Sequence, residues 1–162
     1  MEEKIELAKL IIGLNNDMFA LSGSLMCYVR GIKTRREPTD IDMVGQYGDL
    51  SDIIVTKDFE FLECKGRGSE INCIMYIHKP TGIKIDFIYS EEEFESINDI
   101  LCGNLQSMIT SKLIYSRTDK LLESRDKHNL DLELLVEHMS TFNNDLYTKH
   151  KDSKPLSTPI DL

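Results

Sequence analysis

Apolar residues recur at mostly helical spacing near the start of the chain: Ile5, Leu7, Ala8, Ile11, Ile12 and Leu14. Asn15 and Asn16 then supply a stop, so the spacing predicts a helix over residues 3–16. Met18 to Ser22 reads as a short apolar strand ending in a tight Gly23-Ser24 turn, and Leu25 to Arg30 as helix. A strand follows around Asp40 to Val44, and Gly45 to Asp52 is rich in turn formers and reads as a loop. Phe59 to Cys64 reads as a strand, Lys65 to Ser69 as a flexible turn, and Ile71 to Ile77 as a second β segment. Lys79-Pro80-Thr81-Gly82 has proline early and glycine late, which joins that segment to Ile83–Tyr89 as a hairpin. Ile83, Ile85, Phe87 and Tyr89 share one face of the last strand, and Lys84, Asp86 and Ile88 the other.

The second half turns helical. Leu105, Met108, Ile109 and Leu113 form a stripe with Lys112 along its edge, where its stem can lie over the core. Asp126 or Asn129 is placed to cap the next helix, with Leu132, Leu135, Val136 and Met139 as its buried stripe. Asp131 reads as an acid favoured by the helix dipole or as a partner of Arg125 or Lys127. From Thr148 onward two prolines and many polar residues predict a flexible tail, or an arm that orders on a partner. The pattern predicts one domain over residues 1–147 and a tail over 148–162, with no internal repeat. The expected fold class is α/β (α+β in some schemes), a small mixed β-sheet flanked by helices.

At 162 residues the chain can bury one real core but not two. The formal charge of -9 argues against a general electrostatic grip on nucleic acid, which depends on Lys and Arg. Nucleic acid is possible but not favoured. Basic residues do gather locally, because Arg30, Lys33, Arg35 and Arg36 lie just before Asp40. Such a patch either holds a triphosphate or an acidic acceptor, neutralises nearby carboxylates, or forms a solvated loop.

The four cysteines, Cys27, Cys64, Cys73 and Cys102, show no C-x-x-C spacing, so neither zinc nor a disulfide framework is indicated. Cys27, Cys73 and Cys102 lie among apolar neighbours and read as buried thiols. The four histidines are scattered, and no P-loop or nucleophile-elbow motif occurs. The chain opens Met1-Glu2-Glu3-Lys4 without an apolar leader, and no apolar run reaches bilayer length, so a cytoplasmic protein with no membrane partner is expected.

The candidate chemistry sits at Thr39-Asp40-Ile41-Asp42-Met43. Strand periodicity would put Asp40 and Asp42 on one face, with Ile41 and Met43 in the core behind. Paired carboxylates repel unless a cation or proton lies between them, and their hard oxygens suit Mg²⁺ shared with substrate phosphates. Asp86 on a neighbouring strand would complete a site for one or two metals. Alone, an Asp-x-Asp fits two solvated acids equally well; the Gly23-Ser24 turn changes the context. A glycine there lets backbone N–H groups approach a phosphate, while Ser24 either donates its hydroxyl or caps the helix.

From Leu21 to Val44 the sequence LSGSLMCYVRGIKTRREPTDIDMV resembles the core motif of the DNA polymerase β-like nucleotidyltransferase superfamily. That motif is an apolar residue, Gly, Gly or Ser, a spacer, then Asp-apolar-Asp. Ile83 to Ile88 supplies the third acid, Asp86, on a later strand. Small members also carry a helical lysine followed by Arg-x-Lys-Asp-x-x-Asp-Leu, and Lys112, Arg125, Lys127, Asp131 and Leu132 fall in that order. The match spans most of residues 15–140, with two departures: the spacer from Ser24 to Asp40 is longer than usual, and His128 stands where the motif has Asp.

The resemblance implies Mg²⁺ or Mn²⁺ on Asp40, Asp42 and Asp86, with Asp86 assisting deprotonation of the acceptor. It implies that Gly23, Ser24 and Lys112 hold the phosphates of a nucleoside triphosphate, ATP being the leading candidate. Transfer of a nucleoside monophosphate to an acceptor hydroxyl, with release of pyrophosphate, is the implied activity. The chain lacks the extra domains that hold long primers, which favours a small-molecule or protein acceptor. Single-domain members include antibiotic adenylyltransferases, which need an acidic pocket that a charge of -9 permits, and antitoxins that modify a partner toxin. The alternative is a catalytically silent nucleotide- or protein-binding module with the same fold.

Overall fold

The computed structural model describes residues 1–45, 50–67, 70–118 and 122–142. Helix α1 (Glu2–Leu14) buries Leu7, Ala8, Ile11 and Ile12, as their spacing predicts. The chain leaves α1 through Asn15, which is buried. Its amide donates to Ile11 O at 2.9 Å and Ile54 O at 3.1 Å, and its Oδ1 accepts from Ile54 N at 2.8 Å. One side chain thus ties the helix end to a segment almost forty residues on. Replacing Asn15 with Ala leaves the Ile54 amide without that partner and should lower unfolding free energy by about 2–3 kcal/mol in urea melts. A change below about 0.5 kcal/mol would show that water replaces the amide without loss.

Strand β1 (Phe19–Ser22) runs into α2 (Gly23–Val29), and β2 (Ile41–Gly45) returns beside it. Strands β3 (Phe59–Arg67), β4 (Glu70–His78) and β5 (Ile83–Tyr89) come next, followed by the short pair β6 (Glu95–Ile97) and β7 (Ile100–Cys102). Helices α3 (Leu105–Thr118) and α4 (Leu122–Phe142) form a helical hairpin. The strands make one seven-stranded sheet in the order β3-β4-β5-β2-β1-β7-β6. β2 pairs with β5 in parallel and β1 with β7 in parallel, while the other pairs are antiparallel. The expected mixed sheet flanked by helices is what forms.

The inner strands bury Phe19, Leu21, Ile41, Met43, Ile85 and Phe87. The rings of Phe19 and Phe87 meet edge to face at 4.9 Å. A Cβ on Gly45 would fall 2.5 Å from the Phe19 ring, so glycine there is a requirement of packing.

Several expectations change at the edges. Lys65 to Arg67 belongs to β3 rather than to a turn; register shifts at Phe61/Glu63 and Lys65/Gly66 absorb the glycine in a bulged ladder. Residues 68 and 69 of that predicted turn lie outside the described residues, as do 46–49 of the predicted loop, which ends in a single 3-10 turn at Leu50–Asp52. The β6–β7 hairpin was not anticipated, because three-residue strands carry no readable alternation. Its signal is Asn98-Asp99, both at positive φ (50° and 61°), as a two-residue hairpin turn requires.

Helix α4 begins at Leu122, so Asp126 and Asn129 lie inside it and cap nothing. Of its predicted stripe Leu135 is buried, Leu132 and Met139 are half-buried and Val136 is exposed, since α4 packs chiefly on α3 and covers only a narrow strip. Cys73 is half-buried rather than buried, and all four cysteines are free thiols. The predicted tail, residues 148–162, lies outside the described residues. None of the described helices is long and apolar enough to cross a membrane.

Candidate active site

Register decides which side chains meet. Asp42 on β2 is the direct partner of Asp86 on the parallel strand β5, and Ser22 on β1 is the partner of Asp42. Neighbouring strands lie about 4.8 Å apart, so these three side chains form a row across one sheet face. Ile41, Met43, Ile85 and Phe87 fill the other face, the division expected from strand periodicity. Asp40 departs from expectation in one respect: it precedes β2, in a bend, rather than sharing the strand with Asp42.

All six residues singled out from the sequence line one cavity of about 380 Å³: Gly23, Ser24, Asp40, Asp42, Asp86 and Lys112. Gly23 adopts φ +62, a left-handed conformation that costs a residue with a Cβ about 1–2 kcal/mol. Its missing side chain has a second purpose, because a Cβ would stand 1.8 Å from Asp42 Oδ2. The turn and the carboxylate are therefore in direct contact. Ser22 occupies the position before α2, which makes Ser24 a first-turn residue and not the cap.

The acids are poorly compensated. Burial, followed by the charges of Asp40 and Asp86, pushes the Asp42 carboxyl up to about 6, against the pull of Lys112 and Lys127. Asp86 is also raised, by burial and then by Asp40. One oxygen of Asp86, Oδ1, is buried without a hydrogen-bond partner. Among the described residues no three His, Cys, Asp or Glu side chains stand at the spacing of a finished metal centre. Three carboxylates, two of them raised in part by the charge of Asp40 and one of these with an orphaned buried oxygen, fit a divalent cation such as Mg²⁺.

Lys112 is half-buried and donates to Asp131 Oδ2 at 2.6 Å, linking α3 to α4. Asp131 was expected to serve Arg125, Lys127 or the helix dipole; it anchors Lys112 instead. The two lie nineteen residues apart on different helices, and only their shared place in the Lys…Asp-Leu motif hints at the pair. Of the basic cluster, Lys33, Arg35 and Arg36 line the cavity. Arg30 turns away to Glu95 and to Gly103 O, where it braces the β6–β7 hairpin and the start of α3. Glu92 was not singled out from the sequence; it lines the cavity and accepts from Ser90 Oγ at 2.7 Å and from Asn104 N. Tyr115 and His128 also line it, their rings 5.6 Å apart.

No protein-family model matches the chain, and no curated protein matches its sequence. Solved structures do match. One is the crystal structure of ANT(2")-Ia in complex with adenylyl-2"-tobramycin, with a TM-score of 0.59 and 14% sequence identity. The superposition covers 91% of this chain and 99% of that one. The two chains share a fold.

Proposed function

We propose that this chain is a divalent-metal-dependent nucleotidyltransferase that moves a nucleoside monophosphate from a nucleoside triphosphate, ATP first among them, to an acceptor hydroxyl. The observation that carries the reading is the meeting of Asp40, Asp42 and Asp86 with the Gly23-Ser24 turn and Lys112 around one cavity. Asp40, Asp42 and Asp86 would hold Mg²⁺ or Mn²⁺; such an ion, when bound, neutralises triphosphate charge and polarises the phosphoryl group.

The chain's own groups do the rest. Gly23 and Ser24 receive the β- and γ-phosphates through backbone N–H groups and the Ser24 hydroxyl. Asp86 orients the acceptor hydroxyl and takes its proton. The α-phosphorus gains the acceptor oxygen, its bond to the β-bridging oxygen breaks, and pyrophosphate leaves with that electron pair. The adenylylated ligand in the structural neighbour is a product of the same bond type, which adds support from shared fold.

Calorimetric titration with ATP, CTP, GTP and UTP, with and without Mg²⁺, tests the proposal. Metal-dependent binding and pyrophosphate release with an acceptor are expected; binding without release in any acceptor mixture would instead favour a silent binding module. Lys112 gives a second measurement. Removing a partly buried cation from a phosphate site should raise the ATP dissociation constant at least about tenfold in Lys112→Ala, on the order of 1.4 kcal/mol. An unchanged constant would leave Lys112 as a structural tie to Asp131 only.

A further inference from the structure

Five of the chain's 19 Lys and Arg residues line this single cavity: Lys33, Arg35, Arg36, Lys112 and Lys127. In a protein of formal charge -9, these five cations match the five acids of the same lining, Asp40, Asp42, Asp86, Glu92 and Asp131. The five divide by position. Lys112 and Lys127 come from the helical hairpin, and they are the cations felt most at Asp42. Lys33, Arg35 and Arg36 come from the loop between α2 and β2 and are absent from the charges acting most on Asp42 or Asp86. Arg35 pairs with Glu133 at 3.0 Å, while Lys33 and Arg36 make no ion pair among the described residues.

The lining acids divide just as clearly. Asp40, Asp42 and Asp86 form the proposed metal set. Of the two others, Asp131 is neutralised by Lys112, while Glu92 is held in place by the neutral donors Ser90 Oγ and Asn104 N and keeps its charge. Outside the metal set and the Lys112–Asp131 pair, Glu92 is the one charged carboxylate of the described lining, set against the two cations Lys33 and Arg36. A polycation such as an aminoglycoside would bring several charges against Lys33 and Arg36 with Glu92 alone to offset them.

We infer that the acceptor is a small anionic alcohol, bearing a phosphate or carboxylate beside the reacting hydroxyl, and that Lys33 and Arg36 grip that anion. The inference rests on the nucleotidyl-transfer reading and departs from the aminoglycoside held by the structural neighbour. The nucleotide enters on the helical-hairpin side and the acceptor's anion on the loop side. Its hydroxyl attacks the α-phosphorus, its proton passes to Asp86, and pyrophosphate departs.

The test uses the full chain, Mg²⁺ and ATP labelled at the α-phosphate. A small-molecule extract of the cells that make the protein is split by ion exchange into anionic, neutral and cationic fractions, with tobramycin as a further arm. Label should enter a new product with the anionic fraction alone. In the Lys33→Ala/Arg36→Ala chain, the anionic fraction's KM should rise at least tenfold, while the ATP dissociation constant from calorimetry shifts less than twofold. Labelling with the cationic fraction or tobramycin, or loss of ATP binding in the double variant, overturns the inference. Labelling of no fraction by a chain that binds ATP with Mg²⁺ overturns it too and leaves the nucleotide reading standing. Failure of the wild-type chain to bind any nucleoside triphosphate removes both.

Discussion

Asp42→Asn should abolish transfer, by on the order of 10³-fold or more, and at the same time make the metal-free protein more stable. Both effects come from one carboxylate. Burial and the neighbouring Asp40 and Asp86 charges raise Asp42 to about 6 from an ordinary value of 3.8. The folded chain therefore binds the Asp42 proton more tightly than the unfolded chain does. Stability from this group is fully present below about pH 4, falls as pH rises to about 6, and is level beyond. At 1.4 kcal/mol per unit the ceiling is about 3 kcal/mol, and solvent in the open cavity brings the expected gain nearer 1–2 kcal/mol. At pH 7.5 with chelator, that gain should raise the Tm of Asp42→Asn by about 2–6 °C above wild type. Adding Mg²⁺ should stabilise the wild type and leave the variant unmoved. A variant that keeps full transfer activity, or a wild type whose melting ignores Mg²⁺, would end the metal assignment.

Asp42 and Asp86 were legible in the sequence because each occupies the polar phase of an otherwise apolar strand, a period of two that short-range pattern carries well. Their pairing across β2 and β5 is a matter of register between segments more than forty residues apart, which no local pattern encodes. Resemblance to a superfamily motif supplied that link. The same division explains the misses. Alternation alone predicts a strand residue at Asp40, but β2 starts at Ile41.

The Lys112–Asp131 tie depends on how α3 meets α4, and the engagement of Glu92 on how the chain before β6 meets the start of α3. Hydrophobic periodicity gives a helix its buried face without saying which polar neighbour it finds. Helix α4 shows the limit from the other side. Periodicity predicts a stripe of four positions, yet only Leu135 is fully buried, because α4 packs chiefly on α3.

Gly23→Ala should be the most damaging glycine-to-alanine change among the described glycines. Two independent terms act at one atom. A Cβ at φ +62 carries left-handed strain of about 1–2 kcal/mol. The same Cβ would stand 1.8 Å from Asp42 Oδ2, well inside contact, so the carboxylate must move or the turn must open. Together they should lower unfolding free energy by about 2–4 kcal/mol and Tm by roughly 5–12 °C. Transfer should fall at least 10²-fold, since the displaced group is the proposed metal ligand.

A double-mutant cycle separates the two terms. Asp42→Ala removes the atom that the methyl strikes but leaves the backbone strain. Gly23→Ala on that background should then lose only about 1–2 kcal/mol, the left-handed penalty alone. Strict additivity of the two changes would mean that the turn and the carboxylate do not touch, and the cavity would lose the contact that joins its phosphate side to its metal side.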